Sequence, residues 1–213
     1  GMFSETIGAA LAICAPVARP VFDPNRRMPL HYFANADTYM IHTFTNGGMT
    51  LRWFRDKFCQ IEMQAQELGL DDAYNMISKE VSKVPAGSDG LVMLPHLAGS
   101  NAPDVNAKAK GVWFGFTLQH TRAHFMRSVM ESLGYIVKRN IDSLADMGIE
   151  VKEIRSLGGG SKSDVWNQIK SDICQIPLET VNSIEAASLG AAILAGKATG
   201  IFKNLNEAAE SMV

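Results

Sequence analysis

The sequence is short of most features that mark a specialised chain. It has three cysteines, Cys14, Cys59 and Cys174, far apart and with no C-x-x-C. That excludes a disulfide framework and a zinc ribbon. It leaves the thiols as small buried hydrophobes and points to the cytoplasm. No apolar run approaches the ~20 residues that span a bilayer, so no membrane partner is expected. The start lacks a basic n-region, so no signal peptide is expected, and Gly1 reads as a tag remnant. Charge of one sign is missing too: Lys+Arg is 20, Asp+Glu is 22 and the formal net charge is -2. Nucleic acid is thereby denied the basic face its phosphates require. Repeats of 20–50 residues and low-complexity tracts are absent. What remains is globular: 46% hydrophobic and 20% charged over 213 residues, enough to bury the core of one or two domains.

The punctuation by glycine and proline organises the chain. Ile7–Ile13 is apolar and small and reads as a buried strand. Residues 14–37 read as irregular, because Pro16, Pro20, Pro24 and Pro29 forbid a long helix. Residues 38–45 are β-branched and aromatic, a strand, and Asn46-Gly47-Gly48 breaks it. Leu51, Trp53, Phe54 and Phe58 then trace a helical stripe. Residues 71–83 suggest a short helix capped by Asp71 or Asp72. Residues 85–90 are a loop, Leu91–Leu94 a short strand, and 99–111 a long polar loop. The longest helical pattern runs from Gln119 to Met147, with Gly148 closing it.

The last third alternates: strand 150–157, glycine turn 158–160, helix 164–174, strand 177–181, helix 183–198. The final helix has Asn182 as N-cap and Glu185 three residues on. Its Ala186, Ala187, Gly190, Ala191 and Ala195 keep it thin, so something is expected to pack very close. This alternation argues an α/β fold with parallel pairing. The 11 methionines are scattered and read as core filling.

Two signals carry chemistry. Gly158-Gly159-Gly160-Ser161-Lys162-Ser163 lies between a strand and a helix. Glycines let backbone N–H groups approach a phosphate or base, and a helix N-terminus favours negative charge. The stretch is not a Walker A loop, since Ser161 precedes the Lys, nor G-x-G-x-x-G, since Ser163 replaces the third glycine. A nucleotide turn and an ordinary tight turn both remain open. Asn46-Gly47-Gly48 is a second glycine turn in the same setting, and Arg52 one turn on could reach a phosphate or stack on a base. Two such turns in one α/β chain could face one ligand from two sides. His120 and His124 have zinc-compatible spacing, but no third ligand and no H-E-x-x-H accompany them. Arg127 and Glu131 read as an intrahelical ion pair. Asp104 reads as a solvated loop carboxylate, and no G-x-S-x-G elbow is present.

Taken in order, these stretches resemble the C-terminal half of an FGGY-type carbohydrate kinase, of the xylulokinase-like branch. The matching pieces are Ser4-Glu5-Thr6; Asn46-Gly47-Gly48 with Leu51-Arg52-Trp53; Leu94-Pro95-His96-Leu97-Ala98-Gly99 with Pro103 and Gly111; and Gly115-Phe116-Thr117 through His120, Arg127 and Glu131. The series continues with Gly158 to Ser163, joined by Trp166, Gln168 and Asp172, and closes with Ala186 to Ala192.

The resemblance implies an actin-like ATPase fold of the ribonuclease H type, α/β with a mixed sheet flanked by helices. It makes residues 1–6 the remnant of a phosphate hairpin and 7–213 the nucleotide-binding domain. It places Gly159 and Ser163 along adenine or ribose, with Gly158 and Gly160 also binding the nucleotide, Gly48 and Arg52 on the opposite wall, and Ser4 and Glu5 at the phosphates. The thin helix would pack behind the glycine turn. ATP and Mg²⁺ are the implied cofactors, and the sugar would be reached through an N-terminal domain. The family's catalytic Asp is expected upstream of Ser4, so the 213 residues alone are expected to be inactive. At Ser100-Asn101 this sequence departs from the resemblance, since many members of the family carry Glu-Arg there.

A stand-alone nucleotide-binding or regulatory module is the rival from a different class. A Rossmann-type dehydrogenase piece is a third reading, disfavoured by the failed fingerprint. A domain that exposes an apolar cleft wall would leave a homodimer open.

Overall fold

The computed structural model describes residues 2–35, 37–181 and 185–212. Strand β1 (Met2–Ile7) turns at Gly8-Ala9 into antiparallel β2 (Ala10–Val17), which pairs with β4 (Tyr39–Asn46), and β4 pairs with the short β3 (Leu30–Tyr32). On its other edge β1 runs parallel to β7 (Glu153–Leu157), and β7 runs parallel to β8 (Leu178–Thr180). The six-stranded sheet therefore has the order β3-β4-β2-β1-β7-β8, an antiparallel meander joined to a parallel half. The mixed sheet was legible, but the single strand expected over Ile7–Ile13 is a hairpin. Its bend falls at Gly8, whose N–H donates to the Ala10 carbonyl at 2.9 Å. The division expected after residue 6 falls inside β1, which lies in the middle of the sheet with Phe3 fully buried.

Helices flank this sheet. They are α1 (Gly48–Phe58), α2 (Gln60–Glu67), α3 (Ala73–Val81), α4 (Arg122–Asp146), α5 (Asp164–Cys174), α6 (Ala186–Ala198) and α7 (Leu205–Met212). Strands β5 (Val92–Leu94) and β6 (Val112–Phe114) form a separate antiparallel ribbon. The long α4 is the central post: it packs on α5, α3, α1 and β5. Its Met126, Val129, Met130, Leu133 and Val137 join Phe3, Ile7, Leu11, Ile13 and Ile41 of the sheet in one core. Burying five such residues at roughly 1.5–3 kcal/mol each explains why α4 has the longest apolar stripe in the sequence. Gly148 follows α4 at φ 76° and passes the chain into a reverse turn, where the Ile149 N–H returns to the Leu144 carbonyl at 3.0 Å.

Three expectations change. Residues 14–37 are not wholly irregular, since β2 runs to Val17 and β3 forms at Leu30–Tyr32. Prolines at edges and ends of strands are compatible with pairing, and Pro16 sits near the end of β2. Helix α2 and strand β6 had no sequence signal. The thin helix packs mainly on α7, not behind the glycine turn. A Cβ on Gly190 would meet nothing within 4 Å, whereas one on Gly196 would strike the Phe202 ring at 2.6 Å. The expected cap Asn182 and the expected start at Ser183 lie outside the described residues.

Asp104 is not simply solvated either. Its carboxylate takes a two-pronged ion pair from Arg139 of α4, at 2.9 and 3.1 Å, which fastens the 99–111 loop. The Arg139 bond holds the Asp104 carboxyl below the usual range.

Candidate functional site

A crevice of about 530 Å³ opens where the β1–β2 turn, the start of α1, the start of α3 and the β7–α5 turn converge. That volume is of the size that holds a drug-sized ligand. Gly8, Gly48, Arg52, Asp72, Asn75, Ser78, Gly159, Gly160 and Ser163 all line it. The two glycine turns therefore face one cavity, as their placement at strand-to-helix junctions suggested.

The glycines do different work. Gly158 sits at φ 79°, and a Cβ there would lie 2.8 Å from the Ile7 carbonyl oxygen. A Cβ on Gly160 would lie 2.7 Å from Ile7 Cβ and 3.2 Å from the Trp166 ring. Both are demanded by the close approach of the turn to β1. Gly159 is different: its added Cβ would meet no atom within 4 Å, and it faces the crevice. The packing of the fold does not demand glycine there.

Asn46-Gly47-Gly48 is first a packing device. A Cβ on Gly48 would collide with the Gly8 carbonyl, and one on Gly47 with the Leu11 amide. The Gly48 N–H donates to Gly8 O at 3.0 Å and the Met49 N–H to Ala9 O at 3.0 Å. The first two donors of α1, which an anion could have claimed, are spent on the β1–β2 turn. Asn46 in turn donates to the Gly99 carbonyl at 2.8 Å. Arg52 projects from α1 with its side chain two-thirds exposed and 3.9 Å from Asp56, a loose pairing that leaves it free to meet a ligand.

On the opposite side Ser163 caps α5, its hydroxyl accepting from the Trp166 N–H at 3.3 Å and lying 3.0 Å from the Ser78 hydroxyl. Trp166 is held by its indole N–H to the Met130 carbonyl at 3.1 Å. Asp72 caps α3, accepting from Tyr74 N–H at 2.9 Å and Asn75 N–H at 3.2 Å. Tyr74 carries Arg55 on one ring face at 4.7 Å. The α3 wall was missed by sequence reasoning. Asp72 was legible as a cap, but no motif marks Asn75 or Ser78.

Ser4 and Glu5 do not reach the crevice. They stand within β1, and the turn itself is Gly8-Ala9. Glu5 points into the core between Phe3 and Ile7, fully buried, where it pairs with the equally buried Lys170 of α5 and accepts from the Ser156 hydroxyl at 2.5 Å. Its Oε2 has no partner among the described residues. Strand alternation explains the placement: residues 3, 5 and 7 share the buried face.

Among the described residues no group of three His, Cys, Asp or Glu is placed to hold a metal. His124 donates from Nε2 to Asp89 Oδ2 at 3.0 Å, and its Nδ1 faces the Thr121 N–H at 3.1 Å as part of the α4 cap. The Arg127–Glu131 ion pair is present at 2.7 Å, and it is buried. Glu131 also accepts from Gly87 N–H at 2.9 Å and the Ser88 hydroxyl at 2.8 Å, so it pins a loop whose Ser88 and Asp89 both have positive φ.

Residues 13–199 match the pattern of the FGGY family of carbohydrate kinases, C-terminal domain. The chain belongs to that family. It is 35% identical over 202 residues to a gluconokinase of Bacillus subtilis, covering 94% of this chain and 39% of that protein. It is 33% identical over 187 residues to a xylulose kinase of Staphylococcus epidermidis, covering 86% of this chain and 36% of that one. The crystal structure of xylulose kinase from Rhodospirillum rubrum superposes with a TM-score of 0.82 at 27% identity, over 98% of this chain and 40% of that one. The chain thus spans about two fifths of the length of these relatives. The fold is the actin-like ATPase fold of such kinases, α/β with a mixed sheet. Among the described residues no helix is long and apolar enough to cross a membrane.

Proposed function

We propose that this chain is the nucleotide-gripping part of an ATP-dependent carbohydrate kinase, in which the γ-phosphoryl group passes to a sugar hydroxyl. The acceptor is read as a xylulose-like ketose or a related polyol or sugar acid, because the relatives are named for xylulose and gluconate. The observation that carries this is the single crevice with Gly159, Gly160 and Ser163 on one side and Gly48 and Arg52 on the other. Gly159 fits it, because it lines the crevice and no neighbouring atom within 4 Å excludes a side chain there.

Among the described residues the crevice offers a grip and one lining carboxylate, Asp72, whose Oδ1 is fixed in the α3 cap. The base that takes the proton of the sugar hydroxyl is read, from the family resemblance, as an Asp outside these residues. The described residues do not build a metal site, so Mg²⁺ is read as arriving on the phosphates and no step is assigned to it. Three free cysteines, two of them buried, fit a reducing cytoplasmic setting.

Thermal unfolding with MgADP, MgATP and NADH tests the reading. For a Kd on the order of 100 μM, millimolar MgADP or MgATP stabilises the chain by about 1–3 kcal/mol; NADH does not. Stabilisation by NADH alone would sink the proposal. Sugar-dependent ATP hydrolysis or transfer by the 213 residues is expected to be undetectable, and measurable turnover would refute the assignment of the base elsewhere. The same crevice fits a nucleotide-binding module without catalysis. The upstream DNA separates the two: an in-frame domain ending in the expected Asp supports the kinase, and a stop codon with a ribosome site before Met2 supports the module.

A further inference from the structure

The α3 wall of the crevice, with Asp72 and Asn75 at its outer end, presents hydrogen-bond acceptors there. Asp71 binds Lys79 at 2.7 Å, the Asn75 side-chain amide at 3.2 Å and the Asp72 N–H at 2.8 Å. These donors, Lys79 foremost, hold the Asp71 carboxyl below its ordinary range, so it acts as an acceptor only. The Asn75 NH₂ group is therefore the half of the amide turned to Asp71. The carbonyl half, Oδ1, takes no partner among the described residues, on a side chain that lines the crevice. One turn earlier, Asp72 spends Oδ1 on the backbone of α3 and leaves Oδ2 unengaged among the described residues, in the same crevice. The wall thus offers two bare acceptors. The next residue inward, Ser78, joins it to Ser163 through the hydroxyl pair at 3.0 Å.

We propose that Asn75, supported by Asp72, is a specificity-determining residue of the nucleotide site, accepting from the exocyclic amine of adenine and disfavouring bases that carry a carbonyl at that position. This rests on the nucleotide reading given above and names the side chain that sorts purines within it. An amine at C6 donates to Asn75 Oδ1. A C6 carbonyl, as in guanine and hypoxanthine, sets acceptor against acceptor and loses the hydrogen bond it made to water. A hydrogen bond of ordinary net worth corresponds to about a tenfold difference in affinity.

Calorimetric titration of the 213-residue chain with MgADP, MgGDP and MgIDP tests this. IDP separates the C6 carbonyl from the guanine 2-amino group. The expected order is ADP tighter than both GDP and IDP by about tenfold. Asn75→Ala is expected to shrink that ratio to about threefold or less. Asn75→Asp, which retains an acceptor, is expected to keep the preference. Because Asn75 is exposed, both variants are expected to melt as the parent does without ligand, which separates recognition from folding. If ADP binds and GDP and IDP bind equally well, or if Asn75→Ala leaves the ratio unchanged, the role of Asn75 is overturned while the nucleotide reading stands. If no nucleotide binds the parent chain, both fall.

Discussion

Adjacent alanine substitutions in the glycine turn separate what the fold needs from what the ligand needs. At Gly160 a methyl group would sit 2.7 Å from Ile7 Cβ, 2.8 Å from Ile7 Cγ2 and 3.2 Å from Trp166. Ile7 is 1% exposed and Trp166 2% exposed, so neither neighbour has room to retreat. Forcing a methyl into such packing costs about 1–3 kcal/mol. For a chain of this length each kcal/mol lowers the melting temperature by about 2–4 °C. At Gly159, one residue away, the methyl would meet no atom within 4 Å and the backbone is outside the left-handed region. Gly→Ala at such a position stabilises by about 0.4–1 kcal/mol, because the unfolded chain loses freedom. The methyl would, however, project into the crevice. Gly160→Ala should therefore melt lower by roughly 2–12 °C, while Gly159→Ala melts at or slightly above the parent temperature and loses most of its response to MgADP. Urea unfolding at constant m, with and without nucleotide, reads both terms. A Gly159→Ala chain that is destabilised by 1 kcal/mol or more, or that keeps the full nucleotide response, would refute the assignment of that glycine to the ligand.

Removing one partner of the Glu5–Lys170 pair strands a charge in the core, so Glu5→Gln or Lys170→Met should each cost about 3–5 kcal/mol in urea unfolding, and the double change to Met should recover much of it; a single change costing under 1 kcal/mol would contradict the burial of the pair. Gly48→Ala should lower both stability and nucleotide response, because its methyl must displace the Gly8 carbonyl that forms the crevice edge; a parent-like melt would show that the turn yields. Arg27 holds the Asp23 carboxyl down at about 2, against an ordinary value of 3.8. With the folded value depressed, this stabilisation is complete above pH ~4 and is lost as the pH falls toward 2. It amounts to on the order of 1–2 kcal/mol after allowance for screening. Asp23→Asn should flatten that part of the acid-unfolding profile, and an unchanged profile would show the pair to be idle.

The fold was legible wherever one element produces its own signal. The β-branched run at 38–45, the stripe of α4 and the alternation after residue 150 each state a period and a boundary within a few residues. Helix α5 was bounded correctly at Asp164–Cys174, because Val165, Ile169 and Ile173 recur at spacings of four directly after a glycine turn. What failed needed information from another element. Ile7–Ile13 is apolar on both sides of its bend, so its composition cannot distinguish a strand from a hairpin. The bend is set by Gly8 docking under Gly48, 40 residues later. The family resemblance put Glu5 in the hairpin at the phosphates, whereas strand alternation turns it into the core. Its partner Lys170 lies 165 residues away, and nothing near either residue announces the other.

The candidate site divides along the same line. Gly48, Arg52, Gly159, Gly160 and Ser163 were found because glycine turns before helices are local and rare, and the structure brings all five to one crevice. The α3 wall was not found, because Asn75 and Ser78 are ordinary helix-surface residues until α5 and the β1–β2 turn are set opposite them. The thin helix shows the limit from the other side. Small residues at 186–195 state how closely a neighbour could approach, but not which neighbour, and Gly190 meets nothing within 4 Å. A triple glycine is ambiguous for the same reason. Sequence can mark three positions as needing no side chain, but only the contacts of each absent Cβ divide them, two for the strand beneath and one for the open crevice. That division separates the two glycines the packing demands from the one it does not, which is the residue the nucleotide reading needs tested.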